Sequence, residues 1–514
     1  MKTLKFLAAE SFVRDTEKAQ QSLCWLSHNL FPLLFKASYL HEQSQILHDV
    51  VQHWPLAELS LKDLLGRTAD CDDDLTDRTC SAALGALLDG LKDHVLCQPV
   101  TYAKHLRLVD LTGIRDVQFQ LCRCGRSLGK WARTEKVTRI CYELLLAMES
   151  QDVSPSVFGV SIDIRMDVFV TSRNYEAAVQ ALLLRCHCPL KIRCVEFRAD
   201  SLPLKNLFYI IKLAVPASLQ KLSIVHNIRM EMPYLEVLLS RVSFPNLRAL
   251  TLPARTFDVR RYGPEDIEML AKIGEMLSQL TCLRELSIPF SPLSGQIRKL
   301  LSPLDTPLQV LEVANCSLSH TDMVYLANSV HAEHLERLDL SGHDVADLYP
   351  AMFFKLLSRA SLTLKSLTLE ECNIGEEHIN LMIVALVPCR KLTEFRFLGN
   401  PFSFRALKCL FNAFVDFPHL KYVEFPVPRD CYSDNVTYPL DDATLGSYDK
   451  DQYERMREEL MKILYEANRE DILASTPLFG SYDPDIQETS NELGVFMLQS
   501  FKDALSNFME SLKT

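Results

Sequence analysis

One apolar pattern, L-x-x-L-x-L with conservative swaps, returns nine times along this chain. It runs through Ile192/Val195/Phe197, Leu219/Leu222/Ile224, Leu247/Leu250/Leu252, Leu283/Leu286/Ile288 and Leu308/Leu311/Val313. It continues through Leu335/Leu338/Leu340, Leu364/Leu367/Leu369, Leu392/Phe395/Phe397 and Leu420/Val423/Phe425. The start-to-start spacings are 27, 28, 36, 25, 27, 29, 28 and 28 residues. A fixed period of this length marks a stack of supersecondary units, each too small to bury its own apolar face.

The pattern predicts a short strand in each unit, followed by a helix. Stacking puts the leucines of successive units into one core, so the expected fold is α/β: a leucine-rich-repeat horseshoe, ribonuclease-inhibitor-like, with a parallel curved sheet and outer helices. Three units carry further core positions at Cys316 and Leu318, Cys372 and Ile374, Asn400 and Phe402. An Asn or Cys there can bond the backbone where the chain leaves the strand. His343 fills that place in its own unit and reads as structural, not as a metal ligand. Ser319 and Asp322 predict a helix cap, with Val324, Ala327 and Val330 as the apolar face behind it. Glu376 and Glu377 suit a first turn, with Ile379, Met382, Ile383 and Leu386 facing inward. The long unit from Leu247 to Leu283 holds an extra stretch, FDVRRYGPEDIEML, which reads as a loop inserted before its helix.

Outside the array the chain divides by pattern. Residues 1–100 show helical periodicity and predict an N-terminal cap; 101–190 hold irregular first α/β units, including Leu106/Val109/Leu111 and VSIDIRMDVFV. The repeats proper span 191–428. A loop and a capping helix follow over 429–474, then a linker and a terminal amphipathic helix over 475–514.

A formal net charge of -11 argues against a nucleic-acid footprint, which needs a clustered basic surface. The run Arg123, Arg126, Lys130, Arg133, Lys136 and Arg139 reads better as a solvated helix face. There is no G-x-G-x-x-G, G-x-x-x-x-G-K-[ST] or H-E-x-x-H in the chain, so no cofactor and no enzymatic activity is expected. Cys122-x-Cys124 and the set Cys186, His187, Cys188, Cys194 lack the paired spacing of structural zinc, and no metal is expected. The acidic group Asp70, Asp72, Asp73, Asp74 and the pair Glu370, Glu371 read as solvated loops. The chain has 16 cysteines, many within apolar repeats, which suits a reducing compartment. The N-terminus lacks the long apolar region of a signal peptide, and no run approaches the length of a membrane span. The expected location is the cytoplasm, with the nucleus also open to it.

Residues between the leucines of each strand point out of the core. On the expected concave face these include Glu285, Glu312, Asp339, Glu370, Glu394 and Glu424, against Arg198, Lys221, Arg337 and Arg396. The acidic bias suits a protein ligand with a basic patch. The alternative is a set of solubilising charges on an unused face.

Four stretches carry a family resemblance. LFPLLF at Leu30 to Phe35, followed by HEQSQILHDVVQHWP, together with SPLSGQIRKLLSPLDTPLQVLEVANC and FPVPRDCY, resembles PRAME-family proteins over almost the whole length. That resemblance implies a substrate receptor of cullin-2 ubiquitin ligases, docked on elongin B and elongin C through a helix of the form [ST]-L-x-x-x-[CSA]-x-x-x-[apolar]. Thr3, Leu4, Ala8 and Phe12 match it, with Ala8 where Cys is preferred. The spacing by four puts Leu4, Ala8 and Phe12 on one helix face. A cullin-2 box, apolar-Pro-x-apolar-apolar, matches Phe31, Pro32, Leu33, Leu34 and Phe35, while Lys36 departs from the apolar preference that follows. A stoichiometric scaffold or inhibitor, binding a signalling protein without ubiquitination, stays open beside the ligase reading.

Overall fold

The computed structural model describes residues 2–76, 78, 80–97, 105–114, 129–150, 160–225, 227–261, 263–433 and 435–477. The chain separates into two compact units, one ending at Ser223 and the other running from Ile224 to Ser481. Arg123, Arg126, Cys122, Cys124 and the terminal amphipathic run lie outside the described residues.

The first unit opens with helices α1 (Leu4–Arg14), α2 (Thr16–Ser22), α3 (Phe31–Leu40), α4 (Ser44–Gln52), α5 (Leu61–Leu65) and α6 (Ser81–Leu96). Helices α1 and α4 both pack on α3, and α6 packs on α4. Pro32 at the start of α3 costs nothing there, because the first turn has no partner for its missing N–H. Parallel strands β1 (Glu58–Ser60, between α4 and α5), β2 (Leu108–Asp110), β3 (Ile162–Val170) and β4 (Leu190–Asp200) pair in chain order, with a register shift between Met166 and Val168 where β3 meets β4. Strand β5 (Lys221–Val225) spans the boundary between the units.

The second unit repeats one plan. Strands β6 (Ala249–Thr251), β7 (Glu285–Ser287), β8 (Val310–Glu312), β9 (Arg337–Asp339), β10 (Ser366–Thr368), β11 (Glu394–Arg396), β12 (Tyr422–Glu424) and β13 (Leu473–Ser475) pair in parallel and in chain order. The register places Leu250, Leu286, Leu311, Leu338, Leu367, Phe395, Val423 and Ala474 in one row. All eight are buried, so each strand adds one apolar rung to a continuous core. Apart from the short helices Val345–Leu348 and Asp442–Leu445, the helices from Met232–Arg241 through Lys450–Glu466 each pack against the next. This is a leucine-rich-repeat fold.

The turns are satisfied across repeats. Asn400 Oδ1 accepts the backbone N–H of Cys372 and of Ile374, both at 3.0 Å. Its Nδ2 donates to the carbonyls of Leu369 (2.7 Å) and Phe397 (2.9 Å). Cys316 Sγ donates to the Ile288 carbonyl at 3.1 Å. His343 Nδ1 lies 2.9 Å from the Leu340 carbonyl, and burial lowers its pKa, the signature of a neutral structural imidazole. Ser319 and Asp322 form a capping box as the spacing predicts, and Asp322 also accepts from Gly295 N (2.6 Å) and Ile297 N (3.1 Å) of the preceding unit.

Several expected details differ. The helix after Ser319 buries Met323, Leu326 and Ala327, and leaves Val330 exposed, because it ends at Asn328. The apolar face therefore sits one position earlier than expected. Ile383 is only half-buried. Half of the inserted stretch is not loop, since Pro264–Ser278 is helix.

Candidate protein-binding surfaces

Thr3 caps α1. Its hydroxyl oxygen accepts the Phe6 N–H at 3.3 Å and its proton goes to Asp70 Oδ1 at 2.8 Å. The Thr3 N–H also donates to the Asp70 carbonyl at 3.0 Å. Asp70 is thus the anchor of this helix start, not a solvated loop carboxylate. The inward face of α1 is Phe6, Ala9, Glu10 and Val13, all buried. Glu10 is paired by Lys2 at 2.6 Å and His41 at 3.1 Å, and these partners hold its pKa below the ordinary value against the opposing cost of burial.

With that face buried, the opposite one is presented to solvent. Leu4 is 84 % exposed and Leu7 46 %; Ala8 is exposed and Phe12 half-buried. Among the described residues, nothing packs over a leucine this exposed, on a helix held at its start by two contacts to Asp70.

The five residues Phe31 to Phe35 divide. Phe31, Leu34 and Phe35 are core: the two phenylalanines meet Trp54 edge-on, with centroids at 6.3 and 6.0 Å. Only Pro32 and Leu33 reach the surface, so Phe31, Leu34 and Phe35, expected among the contact residues, lie in the core instead. Pro32 and Leu33 wall a cavity of about 190 Å³ together with Lys5 of α1, Asp63 and Thr68. Thus α1, through Lys5, and the start of α3 border one cavity. Lys36 also lines it and is buried, with Nζ donating to the carbonyls of Gly66 (2.6 Å) and Cys71 (3.2 Å). That explains the departure from the apolar pattern: Lys36 ties α3 to the turn that follows α5.

On the open face of the second unit's sheet the strand register sets Glu312, Asp339, Thr368, Arg396 and Glu424 in one row. Arg396 Nη2 is 3.6 Å from Glu394 and its Nε 3.9 Å from Glu424, with the guanidinium 5.5 Å from the Tyr422 ring centre. Arg337 lies 3.9 Å from Glu312, and Glu285 stands half-exposed on β7. Glu424 is buried, accepting from Tyr422 OH at 2.5 Å. Asp339 Oδ1 accepts from Ser341 N (2.9 Å) and Ser341 Oγ (2.6 Å), so it shapes the turn after β9. Burial raises its pKa, and nearby Glu312 adds to this against those hydrogen bonds. Glu370 is pushed up to about 7, first by burial and then by Asp339 and Glu424, with Arg396 opposing. The carboxylates here outnumber their cations at close range, which favours an incoming positive charge.

Among the described residues no group of three His, Cys, Asp or Glu is placed to hold a metal, and no helix is long and apolar enough to cross a membrane. Cys188 and Cys194 are buried and Cys186 exposed.

Repeats of this construction, with a helical region ahead of them, define a leucine-rich-repeat protein. The chain belongs to the PRAME family: the PRAME N-terminal domain matches residues 2–119 and the PRAME C-terminal domain residues 217–482. It is 32 % identical over 502 residues to leucine-rich repeat-containing protein 14 of Xenopus laevis, covering 93 % of this chain and 98 % of that one. It is 30 % identical over 496 residues to the Homo sapiens protein of the same name, covering 94 % and 99 %. Among solved structures it is similar to the Rad7 and Elc1 complex in yeast, at 15 % identity and a TM-score of 0.42, covering 84 % of this chain and 92 % of that one. It is also similar to the Leptospira interrogans leucine-rich-repeat protein LIC12759, at 12 % identity and a TM-score of 0.26, covering 84 % and 98 %.

Proposed function

We propose that this chain is a substrate-recognition adaptor of a cullin-2 RING ubiquitin ligase, joined to it through elongin B and elongin C, with a protein substrate held on the open strand face. The observation that carries the reading is the outward face of α1. Leu4 is exposed, Ala8 lies one turn on, and Thr3 caps the start, which is the residue pattern that the family resemblance assigns to elongin docking. An exposed leucine beside a small residue lets a partner helix or loop approach closely and bury it. The half-exposed Pro32 and Leu33 supply the second contact.

The mechanism is positional. The strand face holds the substrate while the N-terminal helices hold the ligase, which raises the local concentration of one for the other; the chemistry belongs to other subunits. The acidic bias around Glu370 and Asp339 favours a substrate segment bearing Lys or Arg. The reading places the protein in the cytoplasm or nucleus, where such a ligase would meet it.

Affinity purification of the tagged full chain from cells tests this. Elongin C and cullin-2 are expected in the eluate, and both are expected to vanish with Leu4→Ser. Absence of both from the wild-type eluate, beside a known receptor that retains them, overturns the ligase reading and leaves the scaffold reading, in which the strand face binds its partner without ubiquitination.

A further inference from the structure

The helix Ile379–Leu386 in the second unit is apolar nearly all round, with Asn380 its only polar residue. Its inward side, Ile379, Met382 and Leu386, is buried. Among the described residues, nothing packs over its outward side. Val384 is 70 % exposed there, with Leu381 and the following Val387 exposed beside it. The helices packed on either side present polar residues instead: Lys355 and Ser358 on Pro350–Ala360, Arg405 and Asn412 on Phe404–Phe414. A surface helix ordinarily turns a polar face outward. An apolar stripe rimmed by polar residues marks a surface that another molecule covers.

The charges at the two ends of the stripe select the occupant. Glu377 is exposed at the start of the helix, and Arg390 and Lys391 are exposed just past its end. Glu377 lies 3.5 Å from His378 Nδ1, but that nitrogen accepts the Gly375 N–H and carries no proton toward the carboxylate. Arg390 donates to the neutral Asp416 carbonyl at 3.2 Å. Among the described residues, then, neither Glu377 nor Lys391 is paired with an opposite charge. Both stand seven residues from Val384. A two-fold axis at Val384 sets two copies of the helix antiparallel, stripe on stripe, with each Glu377 toward the Lys391 of the other copy. The surface is complementary to itself, which is the requirement of an isologous pair. The same signs suit the helix dipole, but the dipole gives no reason for the bare apolar stripe between them.

We propose that Leu381, Val384 and Val387 form the centre of a weak symmetric homodimer, with Glu377 of one copy facing Lys391 and Arg390 of the other. It is independent of the ligase reading, and its failure leaves that reading untouched. The stripe is small beside the roughly 800 Å² per partner of a standard interface, so half-association falls at about 10–100 μM. A dimer carries two open strand faces, and a ligand with two matching segments gains avidity from it.

Sedimentation of the purified full chain, from about 1 to 200 μM, tests this. The wild-type chain is expected to pass from monomer toward dimer across that range. Val384→Glu puts two carboxylates at the axis and should abolish the dimer, with the melting temperature unchanged because this side chain is exposed. Glu377→Lys and Lys391→Glu should each weaken self-association about tenfold, because like charges then meet at both ends. An equimolar mixture of these two variants should recover the dimer, since opposite charges meet again. A wild-type chain that stays monomeric overturns the proposal and leaves the stripe to another occupant. A dimer that survives Val384→Glu overturns it by placing the interface elsewhere. A dimer lost with Val384→Glu but not recovered in the mixture overturns the two-fold pairing.

Discussion

The hydroxyl of Thr3 reaches the carboxylate of Asp70 across 2.8 Å, joining residues far apart in sequence at the point where α1 begins. The cap that starts the helix and the loop that fixes it are therefore one device. Asp70→Ala should free the start of α1 at a cost of about 1 kcal/mol, the usual worth of a cap. Amide exchange in Leu4–Arg14 should quicken and elongin affinity should fall several-fold, while the repeats keep their protection. Unchanged exchange in α1 would show that the Asp70 contact does not hold it.

Leu338 and Asp339 are neighbours with opposite roles. Leu338 is fully buried in the central row, and Leu338→Ala should cost about 2–5 kcal/mol. The strand pattern alone makes Asp339 a free outward carboxylate whose loss costs next to nothing. The structure corrects this, because Asp339 accepts two hydrogen bonds from Ser341. Asp339→Ala should cost about 1 kcal/mol. Asp339→Asn, which keeps an acceptor oxygen and sheds a charge that burial disfavours, should stay within about 0.5 kcal/mol of wild type. Equal losses for Ala and Asn at Asp339 would contradict this account of the turn.

His48 bridges two carboxylates, with Nδ1 2.8 Å from Asp49 and Nε2 3.0 Å from Asp93. The bond to Asp49 is the main cause of its raised pKa, with burial opposing and Asp93 adding. A raised folded-state pKa means stability that is fully present below the unfolded value near 6.5 and lost as pH rises through the folded value. The first unit should therefore melt lower as pH climbs above about 6.5. His48→Gln should flatten that slope. A slope equally steep in the variant would assign the effect to another group.

Glu370 makes the matching prediction in the second unit. Its pKa of about 7 lies above the ordinary carboxylate value, so stability present at low pH is lost as pH rises from about 4.5 through 7. Glu370→Gln should remove this loss and raise the melting temperature at pH 8 more than at pH 5. The reverse order would show that Glu370 is ionised and well solvated in the folded chain.

The repeats were legible because a 28-residue period leaves little freedom: all nine predicted strands are present and Leu250 through Val423 fall in one row. Two strands were missed. Strand β1 carries the same pattern at Leu56, Leu59 and Leu61, hidden among helical runs, and a search of the first hundred residues for it would have found it. Strand β13 offers only Ile472 and Ala474, too little apolar signal to read. Spacing by four put Leu4 and Ala8 on one face of α1, but which face is outward depends on α3, far along the chain. Likewise nothing local distinguishes the buried Phe31 from the half-exposed Leu33; Trp54 decides it. The pairing of Thr3 with Asp70 and the burial of Lys36 are long-range contacts with no period to announce them.

The central claim is that Leu4 is the anchor for elongin docking, and binding of purified elongin B/C to the full chain measures it directly. Leu4→Ser removes an exposed apolar side chain, so the fold and its melting temperature should be unchanged. Truncating such an anchor costs about 2 kcal/mol or more, so the affinity should drop roughly thirtyfold. Leu4→Ser protein that is fully folded and binds elongin B/C as tightly as wild type would contradict the account.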